Sequence, residues 1–139
     1  MLLDDLPAIK NLLATAQTIA VVGLSPKESR PSNMVARYLL AAGYTVIPVN
    51  PGQEEILDLP CYPSLTAIPC QVDIVNIFRR SEEVPPIVAE AIAIGAKGVW
   101  MQEGVVHAEA ARTAKAAGLV VVMDRCIKTV HHCLGHERD

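Results

Sequence analysis

The chain alternates two patterns of apolar positions. Short, almost continuously apolar segments are typical of strands buried on both faces of a parallel sheet, and they occur at residues 18–23, 44–49, 73–78, 98–101 and 119–123. Around them, apolar residues recur every three or four positions, which predicts helices beginning near residues 6, 32, 81, 107 and 126. This alternation predicts right-handed βαβ crossovers, and therefore an α/β, Rossmann-like three-layer sandwich with a five-stranded, mainly parallel sheet.

Individual residues mark where these elements begin and end. Asp5 and Ser32 are predicted N-caps of the first two helices, and Gly43 follows the second helix as a stop. Pro48 lies late in its predicted strand, which indicates a bulge or a strand end where the backbone N–H is not needed. Prolines at positions 60, 63 and 69 predict little regular structure before the third strand.

Length and composition restrict the class of protein. At 139 residues, of which 51% are apolar, the chain is predicted to form one domain over residues 1–139. A net charge of −3 argues against a nucleic-acid partner. The sequence has neither an apolar run long enough to span a membrane nor a basic signal segment, which predicts a cytoplasmic protein without a membrane partner. A cytoplasmic location predicts that the four cysteines are reduced thiols.

The residues that follow each predicted strand are the candidates for function, because ligands of such sheets bind beyond the carboxyl ends of the strands. After the first strand, Gly23 allows a phosphate to approach the backbone and Ser25 supplies a hydroxyl group. Lys27 and Arg30 lie in a loop that leads into a helix N-terminus. From residue 10 to residue 53 the only acidic side chain is Glu28. This combination is typical of an anion-binding site in a positive field.

The first loop does not match the NAD pattern. That pattern requires Gly-x-Gly-x-x-Gly, followed about 20 residues later by an acidic residue. Here the loop reads GLSPKE, and the second strand ends in Val49, Asn50 and Pro51. A nucleotide with an extra phosphate on its ribose suits such a site better, which points to coenzyme A (CoA) or, less well, to NADP.

Several segments in register resemble a known family. They are residues 22–26 (VGLSP), 43–51 (GYTVIPVNP), 61–65 (CYPSL), 73–75 (DIV), 78–80 (FRR), 98–104 (GVWMQEG) and 125–127 (RCI). Across residues 18–131 the chain is similar to the small single-domain CoA-binding proteins, whose fold resembles the N-terminal CoA-binding domain of the succinyl-CoA synthetase alpha subunit. The resemblance implies CoA, or an acyl-CoA, as the cofactor.

The resemblance also implies roles for the residues at the strand ends. Gly23 and Ser25 would meet the CoA phosphates, with Lys27 and Arg30 as charge partners. The other contacts follow the later strands: Val49, Asn50 and Pro51 would flank the adenosine, Phe78 and Arg79 would line the third strand end, and Gln102 and Gly104 would close the site near the pantetheine. Cys126 follows the fifth strand, where its thiol would lie near the CoA sulfur.

We expect the protein to bind CoA or an acyl-CoA without catalytic machinery of its own. The phosphorylated histidine and the succinate site of the synthetase lie in a further domain, so the resemblance carries over no ligase activity. The strand ends hold no Ser/His/Asp arrangement or carboxylate pair. One alternative is an enzyme that uses NADP or an acyl-CoA, with Cys126 and His131 as its catalytic pair. Another is an interaction subunit with a vestigial nucleotide pocket.

The C-terminal segment combines thiols and imidazoles. Within eleven positions it holds Cys126, His131, His132, Cys133 and His136, but their spacing matches no common structural zinc site, so we expect no metal. The neighbouring Arg125 is expected to lower the pKa of the Cys126 thiol. For protein partners, the sequence leaves open a homodimer or a separate enzyme that receives the CoA.

Overall fold

A five-stranded parallel sheet forms the middle layer of the fold. The computed structural model describes residues 5–135. The sheet contains β1 (Thr18–Val22), β2 (Thr45–Val49), β5 (Ile74–Ile77), β6 (Gly98–Met101) and β7 (Val120–Val122). Their spatial order is β2, β1, β5, β6, β7, and each neighbouring pair is parallel. The predicted α/β, Rossmann-like class is therefore confirmed.

Helices cover both faces of this sheet. They are α1 (Leu6–Thr15), α2 (Pro31–Ala41), α3 (Val84–Ala93), α4 (Ala108–Ala116) and α5 (Ile127–Gly135). Helices α1, α2 and α5 pack on one face, where Ile9, Leu39 and Ile127 are fully buried. Helices α3 and α4 pack on the other face through Val84 and Ala114. Among the described residues, no helix is both long and apolar enough to cross a bilayer.

The two faces explain why the strands are continuously apolar. In β1, Ile19 and Val21 pack into the core beneath α1, α2 and α5, whereas Ala20 and Val22 pack into the core beneath α3 and α4. Successive side chains of a strand point to opposite faces, so a sheet covered on both sides needs apolar residues at every position. Burial of each Val or Ile side chain stabilises the fold by about 1.5–3 kcal/mol.

The helix starts differ from the sequence prediction in detail. Asp5 does occupy the N-cap position of α1, but its side chain makes no capping hydrogen bond. The prediction that Ser32 caps the second helix is wrong, because α2 begins at Pro31 and its N-cap residue is Arg30. Proline is common at the first helical position, because its φ is already helical. An N–H at that position would have no partner within the helix, so its absence costs nothing.

The proline-rich segment is more ordered than predicted. It contains a small antiparallel hairpin, β3 (Glu55–Ile56) and β4 (Leu59–Pro60), followed by a 3₁₀ turn at Leu65–Ala67. The hairpin turns through Leu57 and Asp58, both with positive φ, as a tight two-residue turn requires. Strands of two residues are too short to produce a recognisable apolar alternation.

Pro48 lies inside the edge strand β2, and the pairing with β1 continues past it without a bulge. The carbonyl group of Pro48 accepts a hydrogen bond from the N–H of Tyr62, at 3.0 Å. The N–H of Asn50 donates in turn to the carbonyl group of Tyr62, at 2.9 Å. The imide nitrogen of Pro48 faces the same side as its carbonyl, away from β1, so proline costs the sheet no hydrogen bond.

Candidate functional site

The strand order reverses between β1 and β5, and Gly23 lies at this switch point. Its φ is +90°, and its N–H donates to the carbonyl oxygen of Val49 at 2.8 Å. A Cβ atom at this position would collide with the carbonyl oxygen of Phe78 and would lie 2.9 Å from Cδ of Arg79. Gly23 therefore brings the ends of three strands together, at the place where ligands of open α/β sheets bind.

The loop after Gly23 is held in shape by two buried polar residues of α2. Oγ of Ser32 accepts a hydrogen bond from the N–H of Ser25 at 3.0 Å, and Nδ2 of Asn33 donates to the carbonyl oxygen of Ser25 at 2.9 Å. Oγ of Ser25 accepts from the N–H of Lys27 at 3.1 Å. The conformation of the loop is thus fixed by its own contacts, with the hydroxyl of Ser25 turned back onto the chain.

Asn50 connects the first two strand ends. Its Nδ2 donates to the carbonyl oxygen of Leu24 at 2.9 Å, and its Oδ1 accepts from the N–H of Gly52 at 2.9 Å. Both ends of the amide are thereby used within the protein. Asn50 positions the two loops relative to each other, and its predicted place beside the adenosine stays a prediction.

A cleft of about 410 Å³ opens beside this junction, on the face covered by α3. This volume lies within the range of small-molecule sites. Three predicted site residues line it, namely Val49, Pro51 and Arg79. The rest of its wall comes from the end of β1, residues 63–65, the residues just before α3 and the first two turns of α3: Val22, Pro63, Ser64, Leu65, Glu82, Glu83, Pro86, Ile87 and Glu90.

The cleft lining contains one cation, Arg79, and three carboxylates. Nε and Nη2 of Arg79 donate to the same oxygen of Glu83, at 3.0 and 2.6 Å. The second oxygen of Glu83 accepts from Nε of Arg80 at 3.0 Å. Hydrogen bonds from Arg79 and then Arg80 lower the pKa of Glu83 below its ordinary value. The positive field predicted for this region therefore does not extend through the cleft.

Lys27 and Arg30 provide positive charge on the neighbouring loop. Both side chains are exposed, and within residues 5–135 neither forms a hydrogen bond or an ion pair. Arg37, by contrast, is bound to Oδ1 of Asn33 and to the carbonyl oxygen of Glu28, each at 2.8 Å. Two cations without partners next to a helix N-terminus are suited to an anion.

Gln102 lies on the opposite side of the sheet from the cleft and is only 4% exposed. Its Oε1 accepts hydrogen bonds from Nδ2 of Asn76 at 3.1 Å and from the N–H of Ile127 at 2.9 Å. It thus fixes the start of α5 to the sheet. The neighbouring Gly104 is exposed, and its N–H donates to Oδ1 of Asp124 at 2.7 Å. Neither residue lines the cleft, and their predicted place near the pantetheine stays a prediction.

Cys126 lies directly before α5, and its thiol has a lowered pKa. Burial raises the pKa, but hydrogen bonds from the Gln102 side chain, from the backbone and side chain of Thr129 and from the backbone of Lys128 outweigh that effect. The predicted direction is confirmed, whereas the predicted cause, Arg125, does not contribute. For Cys61 the pKa is raised, because burial outweighs its hydrogen bond with Asn50.

The structure does not form the Cys126–His131 pair that the enzyme alternative needs. Nδ1 of His131 is hydrogen-bonded to the hydroxyl of Tyr38 at 2.7 Å, and the ring lies edge-on to both Tyr38 and Tyr44. His136 lies outside the described residues. Within residues 5–135, no three His, Cys, Asp or Glu side chains are arranged to hold a metal ion.

The lowered pKa of Cys126 is testable by alkylation. In a background with serine at positions 61, 70 and 133, Gln102→Leu is expected to raise the pKa of the thiol, because one hydrogen bond to the thiolate is lost. The pH dependence of the rate of reaction with iodoacetamide measures this shift. Gln71→Leu removes an exposed amide elsewhere and should leave the profile unchanged. An unaltered profile in Gln102→Leu would mean that Lys128 and Thr129 stabilise the thiolate without a contribution from Gln102.

Some residues of the site could have been found in the sequence and others could not. Glu83 follows Arg79 and Arg80 at the four- and three-residue spacing of helical ion pairs, which is a recognisable signal. Ser32 and Asn33 are small polar residues on the buried side of an amphipathic helix. The wall formed by residues 63–65 has no periodic apolar pattern, since it reaches the cleft through the folding of an irregular segment, and only the resemblance of residues 61–65 to the family pointed to it.

Comparison with known proteins agrees with the geometry. The chain is 44% identical to the uncharacterized protein YneT of Bacillus subtilis over 88% of this chain and 91% of YneT. A hypothetical protein from Pyrococcus horikoshii has a solved structure with 41% identity and a TM-score of 0.89, covering 92% of this chain and 90% of that one.

A longer enzyme contains a similar segment. Over 83% of this chain, the sequence is 30% identical to the ADP-forming acetate–CoA ligase I of Archaeoglobus fulgidus, of which it spans only 18%. The model of a CoA-binding domain matches residues 17–132, nearly the whole chain. The residues matched include β1, Gly23 and every strand end described above. The chain therefore belongs to the CoA-binding domain family.

Proposed function

We propose that this protein binds CoA or an acyl-CoA at the carboxyl ends of its parallel strands. The observation that carries the proposal is the junction at Gly23, where a rigid loop with two unpaired cations lies beside a cleft of about 410 Å³. Membership of the CoA-binding domain family supports CoA as the ligand. No step of catalysis is part of the proposal.

In this proposal the phosphates lie against the loop and the N-terminus of α2. Lys27 and Arg30 are the charge partners, because both are exposed and lack a partner among the described residues. A phosphate paired with a guanidinium or ammonium group gains charge-assisted hydrogen bonds. The fixed conformation of the loop favours binding, since little flexibility is lost when the ligand arrives.

The cleft is the proposed place for the less charged part of the ligand. Val22, Val49 and Ile87 supply apolar wall, and Pro51 and Pro63 add rigid surface on either side. The carboxylates of the lining disfavour a phosphate there and accept hydrogen bonds from donors such as an exocyclic amino group. We place the adenosine in the cleft on this electrostatic ground.

NADP is the alternative nucleotide, and the residue after β2 bears on it. An acidic side chain at that position holds the ribose of NAD, whereas here Asn50 has both ends of its amide bound within the protein. The position therefore lacks the carboxylate that NAD requires, and membership of the CoA-binding domain family favours CoA over NADP. A vestigial pocket would bind neither nucleotide.

Isothermal titration calorimetry tests the proposal. We expect binding of CoA and acetyl-CoA to the unmodified protein, with weaker or no binding of NADP. Lys27→Gln combined with Arg30→Gln should weaken CoA binding by roughly tenfold or more and make it less sensitive to salt, because two charge pairs are lost. Arg112→Gln with Lys115→Gln removes the same charge from α4 and serves as the control. Binding of NADP without CoA would overturn the proposal.

The relatives also suggest a role for this protein in the cell. In the acetate–CoA ligase, a similar segment is part of a much longer chain. We infer that the present protein carries or senses CoA, or delivers it to a separate enzyme. Copurification of CoA with the native protein, detected by mass, would support carriage.

A further inference from the structure

The ion-pair cluster at the cleft suggests how the proposed ligand is admitted. Arg79 lines the cleft, and its aliphatic stem lies over Gly23 at the switch point. Its guanidinium group is bound by Glu83 through two hydrogen bonds, at 3.0 and 2.6 Å. The cation nearest the strand junction is therefore already bound to an internal carboxylate.

The second oxygen of Glu83 allows Arg79 to leave this carboxylate. It accepts from Nε of Arg80 at 3.0 Å, so one carboxylate compensates two guanidinium groups. If Arg79 turns away, Glu83 keeps Arg80 as its partner and is not left as an unpaired charge. The cost of releasing Arg79 is low, because about a third of each side chain of the Arg79–Glu83 pair is exposed and water screens the interaction.

A phosphate group competes well for such an arginine. The planar guanidinium fork matches phosphate oxygens with two parallel hydrogen bonds, and the pair is charge-assisted. Within the described residues, the other cations near the strand junction are Lys27 and Arg30 on the loop and Arg80, which stays with Glu83. Arg79 would thus complete a three-cation contact with the ligand.

We propose that Glu83 is an internal competitor for Arg79, which exchanges this carboxylate for a phosphate of the bound nucleotide. The proposal rests on the function proposed above. Glu83 lowers the affinity for the ligand, and Arg80 makes the exchange possible. Arg79 is then a binding residue, and Glu83 acts through it as a positioning residue. In the arrangement that the structure shows, hydrogen bonds from Arg79 and Arg80 lower the pKa of Glu83.

Calorimetry on the intact chain tests the exchange. Glu83→Gln is expected to tighten CoA binding by about three- to tenfold and to increase its sensitivity to salt, since Arg79 is released from its internal partner. Arg79→Gln should weaken binding and should abolish the effect of Glu83→Gln in the double variant, because the coupling runs through Arg79. Glu109→Gln removes the same charge from α4, and its effect should stay within twofold.

The ligand series identifies the group that Arg79 meets. Dephospho-CoA lacks the ribose phosphate, and pantetheine lacks all phosphates. The increase in affinity caused by Glu83→Gln should therefore vanish with pantetheine, whichever phosphate Arg79 binds. A gain retained with dephospho-CoA assigns Arg79 to the pyrophosphate, and a gain lost with it assigns Arg79 to the ribose phosphate. Unchanged or weaker CoA binding in Glu83→Gln, with normal binding by the unmodified protein, overturns the exchange alone. Absence of CoA binding by the unmodified protein overturns the proposed function as well.

Discussion

Gly23→Ala is expected to destabilise the protein by about 2–6 kcal/mol and to abolish binding at the strand junction. An alanine at φ +90° is strained by about 1–3 kcal/mol. Its Cβ would also collide with the carbonyl group of Phe78 and press on the stem of Arg79. Relief of that overlap requires backbone movement, which costs a further 1–3 kcal/mol or so. The movement would separate β1 from β5 at the point where the site is built.

Gly118→Ala separates the two causes of destabilisation, which are backbone strain and the overlap of the new Cβ atom with Phe78. Gly118 also has a positive φ, of +94°, but no atom lies within 4 Å of a Cβ placed there. This variant should lose only the contribution of backbone strain, about 1–3 kcal/mol. Urea denaturation of both variants measures the difference. Equal losses would mean that the contact with Phe78 contributes nothing and that the backbone conformation alone requires glycine.

Asp73→Ala is expected to destabilise the opposite end of the sheet by about 2–4 kcal/mol. The carboxylate is buried and accepts hydrogen bonds from the N–H groups of Gln17 and Thr18, at 2.8 and 3.0 Å. Each donor left without a partner costs about 1–3 kcal/mol. Because this end is remote from the strand junction, CoA binding should persist in the folded fraction. Urea denaturation and calorimetry measure the two effects.

The contribution of Asp73 also depends on pH. Burial raises its pKa, but the two backbone hydrogen bonds and the charge of Lys97 outweigh burial and hold the pKa below the ordinary value of 3.8. The stabilisation is therefore complete above pH 3.8 and is lost as the pH falls through the lower, folded-state pKa. The stability difference between the unmodified protein and Asp73→Asn should shrink over that acidic range.

Lys97→Ala is the control for the ion pair. Nζ of Lys97 lies 3.6 Å from the carboxylate, and its side chain is 61% exposed. Such a pair adds less than about 1 kcal/mol. A loss in Lys97→Ala as large as that in Asp73→Ala would assign the stabilisation to charge attraction rather than to the backbone hydrogen bonds.

The fold was predictable because its main signals are local. Continuous apolar runs identified all five strands of the sheet, and helix periodicity placed the helices between and around them. The exceptions were decided by contacts distant in sequence. Ser32 looked like a cap but instead binds the N–H of Ser25. The hairpin at Glu55–Ile56 and Leu59–Pro60 is too short for a periodic signal.

The candidate site was predictable by position but not by the role of each side chain. The rule that strand ends carry function led to Val49, Pro51 and Arg79, which line the cleft. It also led to Gln102, whose side chain turned out to be buried and bound to Asn76 and Ile127. Which way a side chain turns depends on its partners in the folded protein. The charge of the cleft was missed because Glu83 lies just before α3 and Glu90 lies on it, well after the basic stretch in the sequence.

The two edges of the sheet have a consequence for assembly. An open edge strand with free N–H and C=O groups is a template for aggregation. On the β2 edge, Pro48 presents no N–H and its carbonyl group is bound to Tyr62, while the other edge, β7, is only three residues long. Both edges are thus poor templates for an added strand. We expect the protein to resist edge-to-edge aggregation, and a second copy or a client enzyme to recognise its helical layers rather than extend its sheet.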